Sequence, residues 1–417
     1  MSRKTNLQPV RGTQDILPDE NRLHRHVENV ALITAELYGF GEISTPIFEF
    51  TDVFARTLGD TSDIVTKEMY TFEDRGGDSL TLRPEGTAGV ARALITNGLA
   101  QNLPLRYFYR GPMFRYERPQ KARRRQFHQV GVELLGVASS QADIDVIALA
   151  QHFLESLGTD NTVKLELNTL GDAKSRDAYR SKLLDYLSVF KDDLSVESKK
   201  RLKKNPLRIL DSKNDCDQRI IADAPVLKDS LNDDSRRFFD ELRDGLARLA
   251  IPYDINDKLV RGLDYYCHTA FEFISTNLGA QGTVLAGGRY DGLVGEMGGP
   301  PTPGIGWAAG VERLGLLVQT APEQKRPIAV IPTGEDTAAE AHMLAHRLRR
   351  LGYRIEHNYA GNVGKRMKRA NTANARAAII LGDDEISRNI GLVRDMDSGE
   401  QTEVSMDRIN DFLSKFQ

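Results

Sequence analysis

Between Ile43 and Gly136 strand-like stretches follow one another with a single helical segment among them, and no other feature of the sequence restricts the fold so strongly. The stretches are SLTLRP (Ser79–Pro84), LRYFYRGPMFRYE (Leu105–Glu117) and RQFHQVGVELLG (Arg125–Gly136). The helical segment, Thr87 to Leu94, closes at Asn97-Gly98. Parallel neighbours need a crossover element between them, so strands joined without one are expected to pair antiparallel. Ahead of this region, Leu23, Val27, Val30, Ile33 and Leu37 are spaced by 4, 3, 3 and 4 residues. That spacing predicts a helix after Pro18, ending near Gly39, with those five side chains on its buried face.

From about Gly171 to Tyr253 the chain is charged and helical by pattern, carries the run SKKRLKKN (Ser198–Asn205), and reads as an insertion on the main domain. Strand and glycine-turn signals return in LVRGLDYYCHTAFEFI (Leu259–Ile274) and GTVLAGGRYDGL (Gly282–Leu293), and GIGWAAGVERLGLLV (Gly304–Val318) reads as a strand running into a helix. A polar, proline-flanked stretch, TAPEQKRP (Thr320–Pro327), marks a boundary. Beyond it PIAVIPTG, RIEHNY and AAIILG alternate with helical segments, which predicts a small α/β domain with parallel strands. NIGLVRDMDSGEQTEVS (Asn389–Ser405) closes it as a hairpin turning at Asp397-Ser398-Gly399.

A length of 417 residues accommodates two to four domains at ~100–200 residues each. With 56 Lys+Arg against 59 Asp+Glu the formal net charge is −3, which excludes a uniformly basic coat but leaves room for local basic patches. Cys216 and Cys267 supply no disulfide framework and no paired metal-ligand spacing, so a reducing, cytoplasmic setting is expected. No apolar run approaches the ~18 residues of a membrane span. MSRKTNLQPVRG lacks the apolar stretch of a secretory leader.

The densest cationic segment is FRYERPQKARRRQFHQ (Phe114–Gln129), with Arg115, Arg118, Lys121, Arg123, Arg124 and Arg125 against the single acid Glu117 between Arg115 and Arg125. A solvated loop is the simple reading of a charge run. This one joins two strands, and Arg115 and Glu117 are expected on one strand face at period two. An arginine so held is aimed in advance, and its planar fork suits phosphate. On the next strand Phe127, Gln129, Gly131, Glu133 and Leu135 share one side. Gln129 and Glu133 then stand ~13 Å apart with open space over Gly131 between them, the floor of a pocket for a small polar ligand. In TLRPEGT (Thr81–Thr87), Glu85 and Thr87 are ordinary helix-capping residues, although Glu85 facing the same pocket is suited to a ligand ammonium. VRGLDYY sets Arg261 beside Gly262 and ahead of Tyr265 and Tyr266, and GWAAGVERL carries Glu312 and Arg313. Zinc, P-loop and serine-hydrolase signatures are missing: Met343 follows His342 where H-E-x-x-H needs Glu, and neither G-x-x-x-x-G-K-[ST] nor G-x-S-x-G occurs.

Taken in order, RGTQDILP (Arg11–Pro18), LTLRPEGT, FRYERPQKARRRQFHQVGVELLG, NPLRILDSK (Asn205–Lys213), LVRGLDYY, AGGRYDGL (Ala286–Leu293) and GWAAGVERL resemble the histidyl-tRNA synthetase family of class II aminoacyl-tRNA synthetases over nearly the whole chain. The stretch around Arg115 resembles motif 2 of that class and the stretch around Arg313 resembles motif 3. The resemblance implies an α+β fold: an antiparallel catalytic sheet flanked by helices over residues 1–325, a helical insertion at about 171–253, and an α/β anticodon-binding domain over 326–417. It implies a homodimer joined partly through motif 1, here around Ser44–Asp60, and no membrane. The implied reaction turns L-histidine and ATP, with Mg2+, into histidyl-adenylate, and passes the histidyl group to the 3′ end of tRNA(His).

The same resemblance assigns roles. Arg115 and Arg261 would act on the α-phosphate and the substrate carboxylate. Glu85, Thr87 and Gln129 would hold the α-amino group, with Gly86 also among the histidine-binding residues; Glu133 and Tyr266 would take the imidazole nitrogens, with Tyr265 lining the pocket. ATP would meet Arg115, Glu117 at its adenine amino group, Arg123 and Arg313. Gln120 and Arg125 would face the tRNA acceptor end, and the strip Lys365, Arg366, Lys368, Arg369 the tRNA phosphates. No protein-only metal site is expected. Two other readings stand beside this one. A catalytically inactive regulatory subunit of ATP phosphoribosyltransferase shares the core but lacks the anticodon-binding domain. A plain RNA-binding module accounts for the basic patches but not for the Gln129/Glu133 floor.

Overall fold

The computed structural model describes residues 7–57, 64–119, 123–210, 212–260, 265–318, 323–357 and 359–416. It divides into two compact units, Met1–Ala321 and Pro322–Gln417.

In the first unit α1 (Pro18–Leu37) opens with proline at its first position and Asp19 and Glu20 in its first turn, both favourable at a helix start. Its buried residues are His24, Val27, Ala31, Thr34 and Ala35. Of the five side chains expected inside, Ile33 and Leu37 are exposed. The small residues Ala31 and Ala35 face inward because they let the helix lie close on its neighbours, and this rotates the apolar stripe away from the position the larger side chains suggest. Next come β1 (Gly41–Glu42), β2 (Phe48–Phe50), α2 (Thr51–Ala55), β3 (Tyr70–Glu73), β4 (Ser79–Leu82), α3 (Thr87–Thr96), β5 (Leu105–Phe114), β6 (Gln126–Leu135), α4 (Ser140–Ser156) and β7 (Val163–Thr169). A helical stretch follows: α5 (Ala173–Val189), α6 (Val196–Lys204), α7 (Asp215–Ala222) and α8 (Asp233–Arg248). The unit ends with β8 (Asp254–Ile255), β9 (Cys267–Ser275), β10 (Thr283–Arg289), α9 (Leu293–Glu296), β11 (Gly304–Gly310) and α10 (Val311–Gly315).

Among the described residues the main sheet runs β1-β5-β6-β11-β10-β9-β7-β8, and β2-β4-β3 form a smaller one. Only the short edge pairs, β1 on β5 and β8 on β7, are parallel in the main sheet; its interior is antiparallel. Period-two alternation gives the sheet two unlike faces. One carries Val130, Val132, Leu134, Ile305 and Trp307 into a core with α1, α4 and α8. There Trp307 stacks on Phe153 at 5.8 Å and donates from Nε1 to the Val146 carbonyl at 3.1 Å. The fully buried Arg289 pairs with the equally buried Asp143 of α4, which ties β10 to the helical layer. The opposite face carries Gln129, Gly131 and Glu133.

Asparagine, serine and aspartate side chains cap the inserted helices: Asp172, Ser195, Asn214 and Asn232 each accept from a backbone N–H of the first turn. Their centre is Asp217, fully buried, which accepts from the Ser195 backbone N–H at 2.8 Å and from the hydroxyls of Ser195, Ser198 and Ser212 at 2.7, 2.6 and 2.5 Å.

The second unit comprises β12 (Ile328–Pro332), α11 (Ala338–Arg350), β13 (Ile355–His357), α12 (Val363–Thr372), β14 (Ala377–Leu381), α13 (Asp383–Ser387), β15 (Ile390–Asp395), β16 (Gln401–Ser405) and α14 (Ile409–Leu413). Its sheet runs β13-β12-β14-β15-β16, with the first three strands parallel and the closing hairpin antiparallel, as the alternation in the sequence leads one to expect. Gly399, at φ +78°, takes the left-handed position of the hairpin turn.

Candidate active site

Small residues open a space over the second face of the main sheet. In the antiparallel register Glu133 pairs with Gly306, Gly131 with Ala308 and Gln129 with Gly310; on the next strand Gly306 meets Gly288 and Ala308 meets Ala286. Directly opposed residues point to the same side, so three glycines and two alanines lie beside the polar residues of β6. A Cβ on Gly306 would overlap the Glu133 carboxylate, and one on Gly131 would overlap the Tyr109 ring, so the space expected to be open over Gly131 is filled by Tyr109. These glycines make the room that the polar side chains occupy.

The pocket above this floor is lined by Glu85, Thr87, Arg115, Glu117, Arg123, Gln129, Tyr265, Tyr266 and Arg313, nine of the residues singled out in the sequence. At one end Glu85 follows β4 and caps α3, accepting from the backbone N–H groups of Thr87 at 2.6 Å and Ala88 at 2.9 Å. Capping and lining are thus the same carboxylate. Burial raises its pKa, against the pull of those N–H groups. Glu133 lies just beneath: its Oε1 accepts from Thr87 Oγ1 at 2.7 Å and its Oε2 accepts from the Tyr290 hydroxyl. Burial pushes its carboxyl up to about 8, since ionisation in an apolar surround lacks solvation. Gln129 presents a buried Oε1 with no hydrogen-bond partner. Tyr265 and Tyr266 pack at 4.6 Å, and Arg176 from α5 donates to the Tyr266 carbonyl, so the insertion helps to fix the tyrosine pair.

At the other end Arg115 donates from Nε to the Pro84 carbonyl at 2.9 Å, and its guanidinium lies 5.3 Å from the Phe127 ring centre. β5 ends at Phe114, so Arg115 and Glu117 lie beyond the strand instead of on its face as expected. Arg115 still donates its backbone N–H to Arg125 at 2.9 Å, while Glu117 turns back to donate to Arg115, a geometry a strand does not have. Glu117 Oε1 is 3.8 Å from Arg115, and its Oε2 forms an ion pair with Arg123 Nε at 2.8 Å that lacks hydrogen-bond alignment. Arg313, on α10, donates to the Thr283 carbonyl at 2.7 Å; burial and then the neighbouring Arg123 lower its pKa.

Other expectations fall elsewhere. Gly86 does not line the pocket; a Cβ there would overlap the Tyr109 ring, so its role is spatial. Arg125 turns away to lie 3.8 Å over the Tyr116 ring, its backbone N–H donating to Gly12. In the second unit Lys365, Lys368 and Arg369 are exposed, but Arg366 is buried and donates to the Pro332 carbonyl. Helical period explains that correction: Arg366 lies on the same face as the buried Ala370, four residues on. Arg261 and Gln120 lie outside the described residues.

The sequence reading missed Tyr290, which lines the pocket and holds Glu133. Tyr290 follows the last residue of β10, just past a shift in its pairing with β9, so strand alternation did not mark it. Arg176 left no local signal at all.

A family model described as histidyl-tRNA synthetase matches residues 12–314, and one described as an anticodon binding domain matches 327–416. The chain is 61% identical to a histidine–tRNA ligase of Rhodospirillum rubrum over 98% of this chain and 99% of that protein. It is 54% identical to the enzyme of the same name from Gluconacetobacter diazotrophicus, with the same coverage. A solved apo histidyl-tRNA synthetase of S. aureus superimposes with a TM-score of 0.83 at 34% identity, covering 98% of this chain and 99% of that one.

Proposed function

The chain belongs to the histidyl-tRNA synthetase family, and from that premise we propose how its pocket carries out the reaction. It is a class II histidine–tRNA ligase, which activates L-histidine with ATP and transfers the histidyl group to tRNA(His). In the first step a histidine carboxylate oxygen attacks the α-phosphorus, pyrophosphate leaves with the bonding pair, and negative charge gathers on the α-phosphoryl oxygens. Cations fixed in advance stabilise that charge without having to reorganise. Arg115, anchored through Nε to Pro84, is assigned to the α-phosphate and the attacking carboxylate, with Arg261 as its counterpart. Arg313 and Arg123 are assigned to ATP, and Glu117, whose Oε2 lacks an aligned donor, to the adenine amino group.

Histidine is assigned to the opposite end. Glu85, Thr87 and Gln129 would receive its α-amino group, and Glu133 with Tyr266 its ring, Tyr265 closing one side. A carboxyl titrating near 8 is suited to imidazole recognition, since it can accept from a ring N–H when ionised or donate to a ring nitrogen when neutral. The observation that carries this reading is the common pocket: arginines around a carboxylate at one end, a buried polar floor at the other. Pyrophosphate exchange into ATP tests it. Exchange should require histidine, with other amino acids at least ~10⁴-fold poorer, because a polar site rejects ligands that leave its groups unpaired. Equal exchange with several amino acids would refute the assignment.

Magnesium would enter with the nucleotide. The carboxylates at that end are engaged, Glu117 beside Arg123 and Glu312 with His128, so a hard cation would draw its oxygens from phosphates and water. It would neutralise phosphate charge; the arginines do the positioning. Gln120 and Arg125 are assigned to the acceptor end of the tRNA, and Lys365, Lys368 and Arg369 to its phosphates, where cations exposed on one helix suit a polyanion. The catalytic part is assigned to residues 1–325 and the anticodon-binding part to 326–417. A homodimer is supported by Ile47, Phe48, Phe50 and Phe72, large apolar side chains exposed on and beside the small sheet. The cytoplasm is the proposed compartment: both cysteines are free, and no described helix is long and apolar enough to cross a membrane. The regulatory-subunit reading is not favoured, because the anticodon-binding domain which such subunits lack is matched here.

A further inference from the structure

Beside the nucleotide end of the pocket, His24 of α1, His128 of β6 and Glu312 of α10 converge, with one ligand atom from each within 4.8 Å of the others. We propose that these three side chains bind one divalent transition-metal ion of the zinc or cobalt kind. None of them has a role in the reaction assigned above, although Glu312 also lines that pocket.

The donor set selects the class of ion. Two imidazoles and a carboxylate form a three-ligand zinc set that keeps a fourth position open, whereas magnesium and calcium favour oxygen ligands throughout. Bonds of ~2.1 Å in a tetrahedral arrangement require ligand atoms ~3.4 Å apart. His128 Nδ1 and Glu312 Oε1 already stand at 3.0 Å. Closure therefore asks ligand atoms now within 4.8 Å of one another to draw in to ~3.4 Å.

The surroundings are built for it. His24 and Glu312 are 7% and 8% exposed, so an ion here is shielded from bulk water. Both Glu312 oxygens accept from the His128 backbone N–H at 3.0 Å, which fixes the carboxylate as an outer partner fixes a metal ligand. Glu20 Oε1 lies 3.9 Å from His24 Nε2 and also pairs with Arg124 at 2.9 Å, which links the site to the basic loop. An ion here would bind together three elements that otherwise meet through packing and the His128–Glu312 contact.

The test uses the full-length protein, stripped of metal by chelator and dialysed against zinc or cobalt. The wild type should retain one ion per chain, melt at a higher temperature when loaded, and give a low-symmetry cobalt absorption in the visible. His24→Gln should lose affinity by more than the ~10–100-fold that removal of an outer partner costs, and its melting should not respond to zinc. X-ray absorption at the zinc edge of the loaded wild type should count two imidazoles, a reading independent of how any variant folds. Failure of the wild type to retain an ion, a count other than two imidazoles, or undiminished binding by a folded His24→Gln would overturn the proposal.

Discussion

Glu133 holds an ionisable group where water cannot stabilise its charge. Its pKa of about 8, against 4.5 for the free side chain, means the folded chain binds more protons than the unfolded one between those values. Stability therefore falls as pH rises through that window, and below it Glu133 makes no difference. Glu133→Gln should relieve this penalty: its melting temperature relative to wild type should climb from pH 5 to pH 8, the gap reaching ~2–4 kcal/mol by chemical unfolding. A pH-independent gap would show that Glu133 is not neutral in the free protein. The same variant should lower kcat/KM for histidine by about 10²–10³. Tyr290→Phe removes the hydroxyl that donates to Glu133 Oε2 and should cost about 10-fold or more in kcat/KM for histidine, with KM for ATP unchanged. Gln129 and Glu133 were readable from the sequence because a strand alternates strictly and an apolar face interrupted by polar residues stands out. Tyr290 was not, because its meaning depends on Gly304 and Glu133, which two other strands bring beside its ring and hydroxyl.

Elements were legible where one local rule governed them. Helix α3, the β10 and β11 strands and the closing hairpin followed from spacing and turn residues. Helix α1 was found but its face was misjudged, because apolar periodicity ranks Ile33 and Leu37 above Ala31 and Ala35, while close packing prefers the small pair. Strand β5 stopped at Phe114 since the chain turns back at Glu117, which strand propensity cannot register. The insertion's cohesion was invisible: Asp217 joins serines that belong to different elements. Asp217→Ala would leave an N–H and three hydroxyls without their acceptor. Its expected cost is ~2–4 kcal/mol, with faster hydrogen exchange confined to α6 and α7; uniform acceleration across the first unit would argue against a local anchor. The same hydrogen bonds outweigh burial and lower the Asp217 pKa, so this contribution is present near neutral pH and is lost as pH falls below the ordinary aspartate value.

On the scale of the whole chain, each of two units has its own hydrophobic clusters, one unit built on an antiparallel sheet and one on a mainly parallel sheet. The switch from consecutive strands to strand–helix alternation made that organisation readable, since each texture permits few topologies. Deleting residues from Arg326 onward should reduce tRNA charging far more than histidine-dependent pyrophosphate exchange; equal loss of both would mean the second unit supports the adenylation pocket itself. What the sequence could not supply was convergence: Arg115, Arg313, Tyr266 and Glu133 come from separate strands, turns and helices. The most direct test of that convergence is a crystal structure with a non-hydrolysable histidyl-adenylate mimic. The imidazole should lie against Glu133 and Tyr266, with the phosphate surrogate at Arg115 and the adenine amino group at Glu117. A mimic bound with its imidazole away from Glu133, or with its phosphate surrogate beyond reach of Arg115, would contradict the account.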